Sequence, residues 1–170
     1  MGMQLIETIS VGSGGAASME FTGIAQDGVD LALLLSTRQD AFGHNQVKIR
    51  FNSDSGNNYS YLYLTGNGSS VVSFGAASND FARIHRSSPG PSQTANTFGS
   101  TNVLIANYTS SSGKSISAET VSEDNAATAY QSITTNVWTG TAAITTITLT
   151  GDAANYVEYT TASLYKITAD

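Results

Sequence analysis

The chain contains no cysteine. Disulfide staples and cysteine-based metal centres are thereby excluded, although the compartment is not fixed, since many extracellular proteins also lack disulfides. Charge is scarce as well. Charged residues make up 12% of the chain, against about a quarter in an average domain. Seven Lys plus Arg face thirteen Asp plus Glu, for a net charge of −6. A protein that grips nucleic acid through phosphates needs a basic surface, so no nucleic-acid partner is expected. The basic residues are scattered apart from Arg83-Ile84-His85-Arg86. No apolar run approaches the roughly 20 residues of a membrane-spanning helix; the longest, Leu31-Ala32-Leu33-Leu34-Leu35, has strand length. No membrane partner is expected. Met1-Gly2-Met3-Gln4 lacks a basic leader, so no signal peptide is expected. Ile6 stands where a myristoylation signal has Ser or Thr.

What is present is hydroxyl. About a quarter of the residues are Ser or Thr, and they alternate with apolar residues in short runs. Tyr59-Ser60-Tyr61-Leu62-Tyr63-Leu64 and Ile147-Thr148-Leu149-Thr150 are examples. A period of two puts one set of side chains on each face of a strand, which predicts half-buried antiparallel sheet. Twelve strands are predicted: 4–11, 17–22, 29–37, 46–52, 59–65, 71–74, 81–86, 101–108, 115–121, 129–138, 143–150 and 157–167. The third, nearly all apolar, is expected to be central and buried on both faces. Both prolines, Pro89 and Pro91, fall in a predicted loop from Ser87 to Gln93. The best helix candidate, Glu123 to Tyr130, is short. Many strands without helices mean an antiparallel sandwich or barrel. The 170 residues suit one domain with a core of its own, in which 1–15 could form an N-terminal strand or arm.

Reactive constellations are sparse. The two histidines are His44, in a predicted loop, and His85, on a predicted strand surface; neither sits in a nucleophile motif. Asp54-Ser55-Gly56-Asn57-Asn58 is rich in oxygen but lacks a calcium-loop register, and reads as an Asx/Gly turn. Gly12-Ser13-Gly14-Gly15 and Gly113-Lys114-Ser115 lack the rest of a phosphate loop and read as hairpin turns. Glu119, Glu123 and Asp124 cluster near one strand end, while Glu7, Glu20 and Glu158 sit singly. Nothing here calls for a catalytic residue, a metal or a cofactor. The aromatic constellation is denser. Tyr59, Tyr61 and Tyr63 share one face of a strand, with Leu62 and Leu64 on the other. Leucines turned to the core would leave a tyrosine stripe for a subunit interface or a glycan; the opposite facing would bury the tyrosines. Trp138 reads as core.

Several stretches resemble a family of small bacteriophage virion proteins and phage-encoded β-sandwich modules. They include Ile6-Glu7-Thr8-Ile9-Ser10-Val11-Gly12-Ser13-Gly14-Gly15, Val47-Lys48-Ile49-Arg50-Phe51-Asn52, Leu62-Tyr63-Leu64-Thr65-Gly66-Asn67-Gly68-Ser69 and Ala143-Ile144-Thr145-Thr146-Ile147-Thr148-Leu149. The likeness spans almost the whole chain and departs at Ala25, where a proline is common in the family. It implies an all-β, antiparallel two-sheet β-sandwich, jelly-roll-like, located on the virion. A module without a shaft implies a capsid decoration or cement protein. Its partners would be the major capsid protein shell and itself, as a homotrimer, with the first strand pairing a neighbouring edge. The alternative is a tail or head-fibre module that binds a host glycan.

Overall fold

A computed structural model describes residues 2–125, 128–152 and 154–169. The first half of the chain forms β1 (Gly2–Ser10), β2 (Ser18–Phe21), β3 (Asp30–Thr37), β4 (His44–Phe51), β5 (Tyr59–Gly66) and β6 (Val71–Asn79). The second half forms β7 (Ala82–Pro89), β8 (Gly99–Ile105), β9 (Lys114–Asp124), β10 (Thr128–Trp138), β11 (Ile147–Thr150) and β12 (Thr161–Thr168). Eight strands make one sheet, in the order β1-β12-β3-β8-β9-β10-β5-β6, and four make another, β2-β11-β4-β7. Every pairing is antiparallel. Of the sandwich and the barrel that the alternation allows, the chain builds the two-sheet antiparallel sandwich. Its twelve strands outnumber the eight of a simple jelly roll.

The core lies where the small sheet covers the middle of the large one. Phe21, Ile49, Phe51, Ile84 and Leu149 of the small sheet are fully buried, as are Leu31, Leu33, Ile105 and Leu164 of the large sheet. Four strands cannot cover eight. The two edge strands of the large sheet, β1 and β6, consequently project beyond the small sheet and are largely exposed along both faces.

Local chemistry sets the turns. Asn67, between β5 and β6, accepts hydrogen bonds on Oδ1 from the amides of Ser69 (3.0 Å) and Ser70 (2.9 Å), and Gly68 supplies the positive φ of 85°. After β4, Asn52 and Ser53 are both left-handed, and Asn52 Oδ1 accepts from the amide of Thr145 (2.8 Å).

Three expectations are corrected. The helix candidate at 123–130 is instead strand at both ends: β9 runs to Asp124 and β10 begins at Thr128, with residues 126 and 127 outside the described set. Cross-strand hydrogen bonding of this long hairpin outweighs a weak local helix preference. Pro89 is the last residue of β7, opposite His44, rather than a loop residue; β7 is a sheet edge, where a missing N–H costs no ladder bond. Strand β3 is central but not buried on both faces, because Leu34 faces solvent.

Candidate functional site

The tyrosine face of β5 points inward. Tyr59 is 1% exposed and Tyr61 8%, while Leu62 and Leu64 are about half exposed. Of the two facings the sequence leaves open, the structure adopts the second: the leucines face out, Tyr59 and Tyr61 are buried, and Tyr63 is half-buried. Tyr59 packs on Phe51 and Trp138 with ring centroids 6.2 and 6.3 Å away. Its hydroxyl accepts from the amide of Phe51 (3.0 Å) and donates to the carbonyl of Asp54 (3.3 Å). Burial pushes its phenol up to about 12. Large aromatic area with a satisfied hydroxyl is worth more inside than two leucines.

Strand β10 shows the same inversion. Ser132, Thr134 and Asn136 are buried, whereas Ile133 and Val137 are about half exposed. The reason lies across the sandwich, where β7 packs over β9 and β10. As the edge of the small sheet, β7 has a row of backbone groups with no strand to pair them. Asn136 supplies the partner. Its Oδ1 accepts from the amide of Arg83 (2.7 Å), and its Nδ2 donates to the Arg83 carbonyl (3.0 Å). Thr134 Oγ1 accepts from the amide of His85 (3.4 Å). Hydroxyl pairs Thr65–Ser132 (2.8 Å) and Thr101–Thr120 (3.1 Å) satisfy one another nearby. The polar side chains Ser132, Thr134 and Asn136 of β10 thus belong to the interior, and its aliphatic side chains Ile133 and Val137 are left outside.

Residues from three strands meet where β4 packs on the β9–β10 end. His44 Nδ1 lies 3.1 Å from Ser122 Oγ, its Nε2 lies 3.3 Å from Asp124 Oδ1, and its ring edge meets Tyr130 at 4.6 Å. The expected solvated loop histidine is thus a nearly buried residue of β4. Serine, histidine and aspartate are the components of a hydrolytic triad. Here, however, the serine is on Nδ1 and the carboxylate on Nε2, the reverse of the triad arrangement. Ser122 is also 1% exposed, so no substrate carbonyl reaches its oxygen. The trio ties β4 to β9.

His85 stacks on Tyr63 at 3.7 Å with rings nearly parallel. Burial, with Arg86 and Arg83 beside it, pushes its imidazole down to about 4, so it is neutral at neutral pH. The expected strand-surface histidine is partly enclosed. The Arg83 guanidinium lies 4.5 Å from the Tyr61 ring, and that of Arg86 4.0 Å from the Tyr130 ring.

The other sequence candidates are consumed locally. The Asp54 carboxylate accepts from Trp138 Nε1 (2.7 Å), Asn58 Nδ2 (2.9 Å) and the amide of Gly56 (2.9 Å), as an Asx turn would. Lys114 is fully buried; its ammonium donates to the carbonyls of Ser110, Ser112 and Ala142. Glu119 accepts from Gln131, Glu123 from Thr94 and Thr97. No cluster of metal-ligating side chains occurs among the described residues.

The outer face of the large sheet is the broadest unpartnered surface. Leu34 of β3, Leu104 of β8, Ile133 and Val137 of β10, and Leu62 and Leu64 of β5 all point to solvent. Register places them as neighbours: Ala32 opposite Leu104, Leu34 opposite Asn102, and Ile133 opposite Leu64. Serines and threonines fill the spaces, with Ser117 opposite both Leu104 and Thr135.

Sequence reasoning passed over Asn136, Tyr130 and the outward aliphatic set. A signal for them was present. Trp138 reads as core, and alternation puts Asn136, Thr134 and Ser132 on its side of the strand. Comparisons with protein-family models, with curated proteins and with solved structures find no match.

Proposed function

We propose that this chain is a structural virion protein of a bacteriophage, a capsid decoration or cement protein that stabilises the icosahedral shell by bridging neighbouring capsid subunits. The observation that carries the reading is the outer face of the eight-stranded sheet. It presents aliphatic side chains from β3, β8, β10 and β5 in one layer, spaced by hydroxyls and, between Asn102 and Ile133, by Glu119. Monomeric soluble proteins rarely leave contiguous apolar patches above a few hundred Å² uncovered, and a flat sheet face suits a flat partner. The family resemblance supplies the setting, the virion surface.

Such a protein works by area rather than chemistry. Internal pressure pushes shell subunits apart, and every bridge adds interface that must break first. A standard interface buries about 1,600 Å² in total. Three copies around a local three-fold axis would act together, multiplying the strength of each contact. The projecting strands β1 and β6 provide edges through which copies could pair.

The test mixes purified protein with shells that lack it, followed by co-sedimentation and heat challenge. Binding that delays shell rupture, and that Ile133→Asp and Leu64→Asp abolish, is expected. Shells that take up no protein, that gain no heat or salt resistance, or that bind the variants as well as the parent would overturn the proposal.

A further inference from the structure

The basic residues can be accounted for one by one. Lys48, Arg50 and Lys166 pair with Asp152, Asp80 and Asp27. Arg38 and Lys114 are spent on backbone carbonyls. Two of the seven remain. Arg83 and Arg86 make no ion pair or side-chain hydrogen bond among the described residues and lie only against aromatic rings. Unpaired guanidinium groups in a chain of net charge −6 are an anomaly, since carboxylates outnumber them.

Arg86 opens onto a cleft of about 320 Å³ between the β5–β6 turn and β7, a volume at the small end of ligand sites. The backbone is bent to put it there. Asn45 pairs with Ser88 but Val47 pairs with Ile84, so β7 carries a bulge over 85–87. Arg86 itself has a φ of 50°, a left-handed conformation that non-glycine residues rarely adopt. Neighbouring strand residues normally point to opposite faces. Here His85 and Arg86 both line one cleft, which is what a bulge beside a binding site achieves.

Beside Val72, His85 and the paired hydroxyl of Thr65, the lining offers three neutral donors. The hydroxyls of Tyr63 and Tyr130 have no hydrogen-bond partner among the described residues. Neither has Asn67 Nδ2, whose Oδ1 is already occupied by the turn amides. A cleft with one cation and three neutral donors wants a ligand with one negative charge amid several oxygens. We propose that this cleft is a binding site for a saccharide bearing a carboxylate, with Arg86 on the carboxylate and Asn67, Tyr63 and Tyr130 on the ring oxygens and hydroxyls. The site is distinct from the apolar outer face and stands or falls independently of the shell reading. A nucleic acid would need a track of cations, and the cleft has one.

The experiment is calorimetric titration of the intact chain with trigalacturonate, a hyaluronan tetrasaccharide and sialyllactose, each beside its neutral methyl ester. A tetraglutamate peptide serves as a carboxylate without a sugar. Binding of at least one acidic saccharide is expected, weakened about tenfold or more by esterification and by Arg86→Gln. Asn67→Asp keeps the turn-capping oxygen and places a negative charge in the cleft; it should abolish binding while leaving the melting temperature unchanged. The proposal is overturned if no acidic saccharide binds or if esters bind as tightly as acids. It is also overturned if both variants, folded by their melts, bind as the parent does, or if tetraglutamate matches the best saccharide.

Discussion

Replacing Asn136 by Ala should cost more than replacing Ile133 by Thr three residues away, although hydropathy alone gives the opposite order. Asn136 holds both the amide and the carbonyl of Arg83, at 2.7 and 3.0 Å. Alanine removes both bonds and leaves two partly buried backbone groups unpaired. Each such group costs about 1–3 kcal/mol, and water entering at the β7 edge relieves part of it. The expected loss is about 2–4 kcal/mol, a large share of a typical total of about 5–15 kcal/mol. Ile133 is 51% exposed. Threonine keeps its β-branch, so about 0.5–1 kcal/mol is expected there. Urea unfolding followed by the fluorescence of Trp138, the sole tryptophan and a strand neighbour of the perturbed site, gives both numbers. At a slope of roughly 2 kcal/mol/M, Asn136→Ala should unfold about 1–2 M earlier than the parent. Equal midpoints for the two variants, or a larger loss for Ile133→Thr, would refute both the inward facing of the polar side chains and the claim that they cap β7.

Three further outcomes follow from buried and paired groups. Although partial burial raises it, hydrogen bonds from Trp138, Asn58 and the amide of Gly56 hold the Asp54 carboxyl below its ordinary range. Its stabilisation is therefore full above about pH 4 and lost as pH falls through the folded value; in melts from pH 6 down to pH 2, Asp54→Asn should flatten the acid side. His85, pushed down to about 4 by burial and then by Arg86 and Arg83, binds its proton more readily unfolded. Stability should decline as pH drops from about 6.5 to about 4, and His85→Phe, which preserves the stack on Tyr63, should remove that part of the slope. Lys114→Met leaves the carbonyls of Ser110, Ser112 and Ala142 without their donor; a loss of about 1–3 kcal/mol and faster protease nicking near Ser111 are expected, read by thermal melts and limited proteolysis.

Short alternating or apolar runs bounded by turn residues were enough to locate all twelve strands, because strand formation depends on local spacing and length and not on which face is covered. Facing is a separate question, and there the sequence is ambiguous. In Ser132-Ile133-Thr134-Thr135-Asn136-Val137 either set could turn inward, and apolar-inward is the ordinary expectation. What reverses it is an unpaired strand edge arriving from the other sheet, 49 to 53 residues earlier in the chain, which demands polar partners. No local pattern announces that demand, though the parity of Trp138 hints at it. The cleft is less legible still. Arg83, His85 and Arg86 stand together in the sequence, but the bulge that aims two of them into one cleft is a property of pairing with β4, and the aromatic floor comes from β5 and β10.

The outermost strand of the large sheet, β1, pairs with β12 alone, Gly2 opposite Thr168 and Ser10 opposite Thr161. Strand β2 likewise pairs with β11. Strands β1 and β2 therefore have no sheet to join until β12 and β11 have emerged from the ribosome. At about 5–20 residues per second, the interval between Ser10 and Thr161 is on the order of ten seconds or more. During it the apolar Met3, Leu5, Ile6 and Ile9 have no native partner strand. A chain halted before Ile147 carries two orphan strands, β1 and β2, and one halted between Thr150 and Thr161 still carries β1, so the fold gives synthesis an all-or-nothing character, and truncated products should be insoluble rather than partly functional.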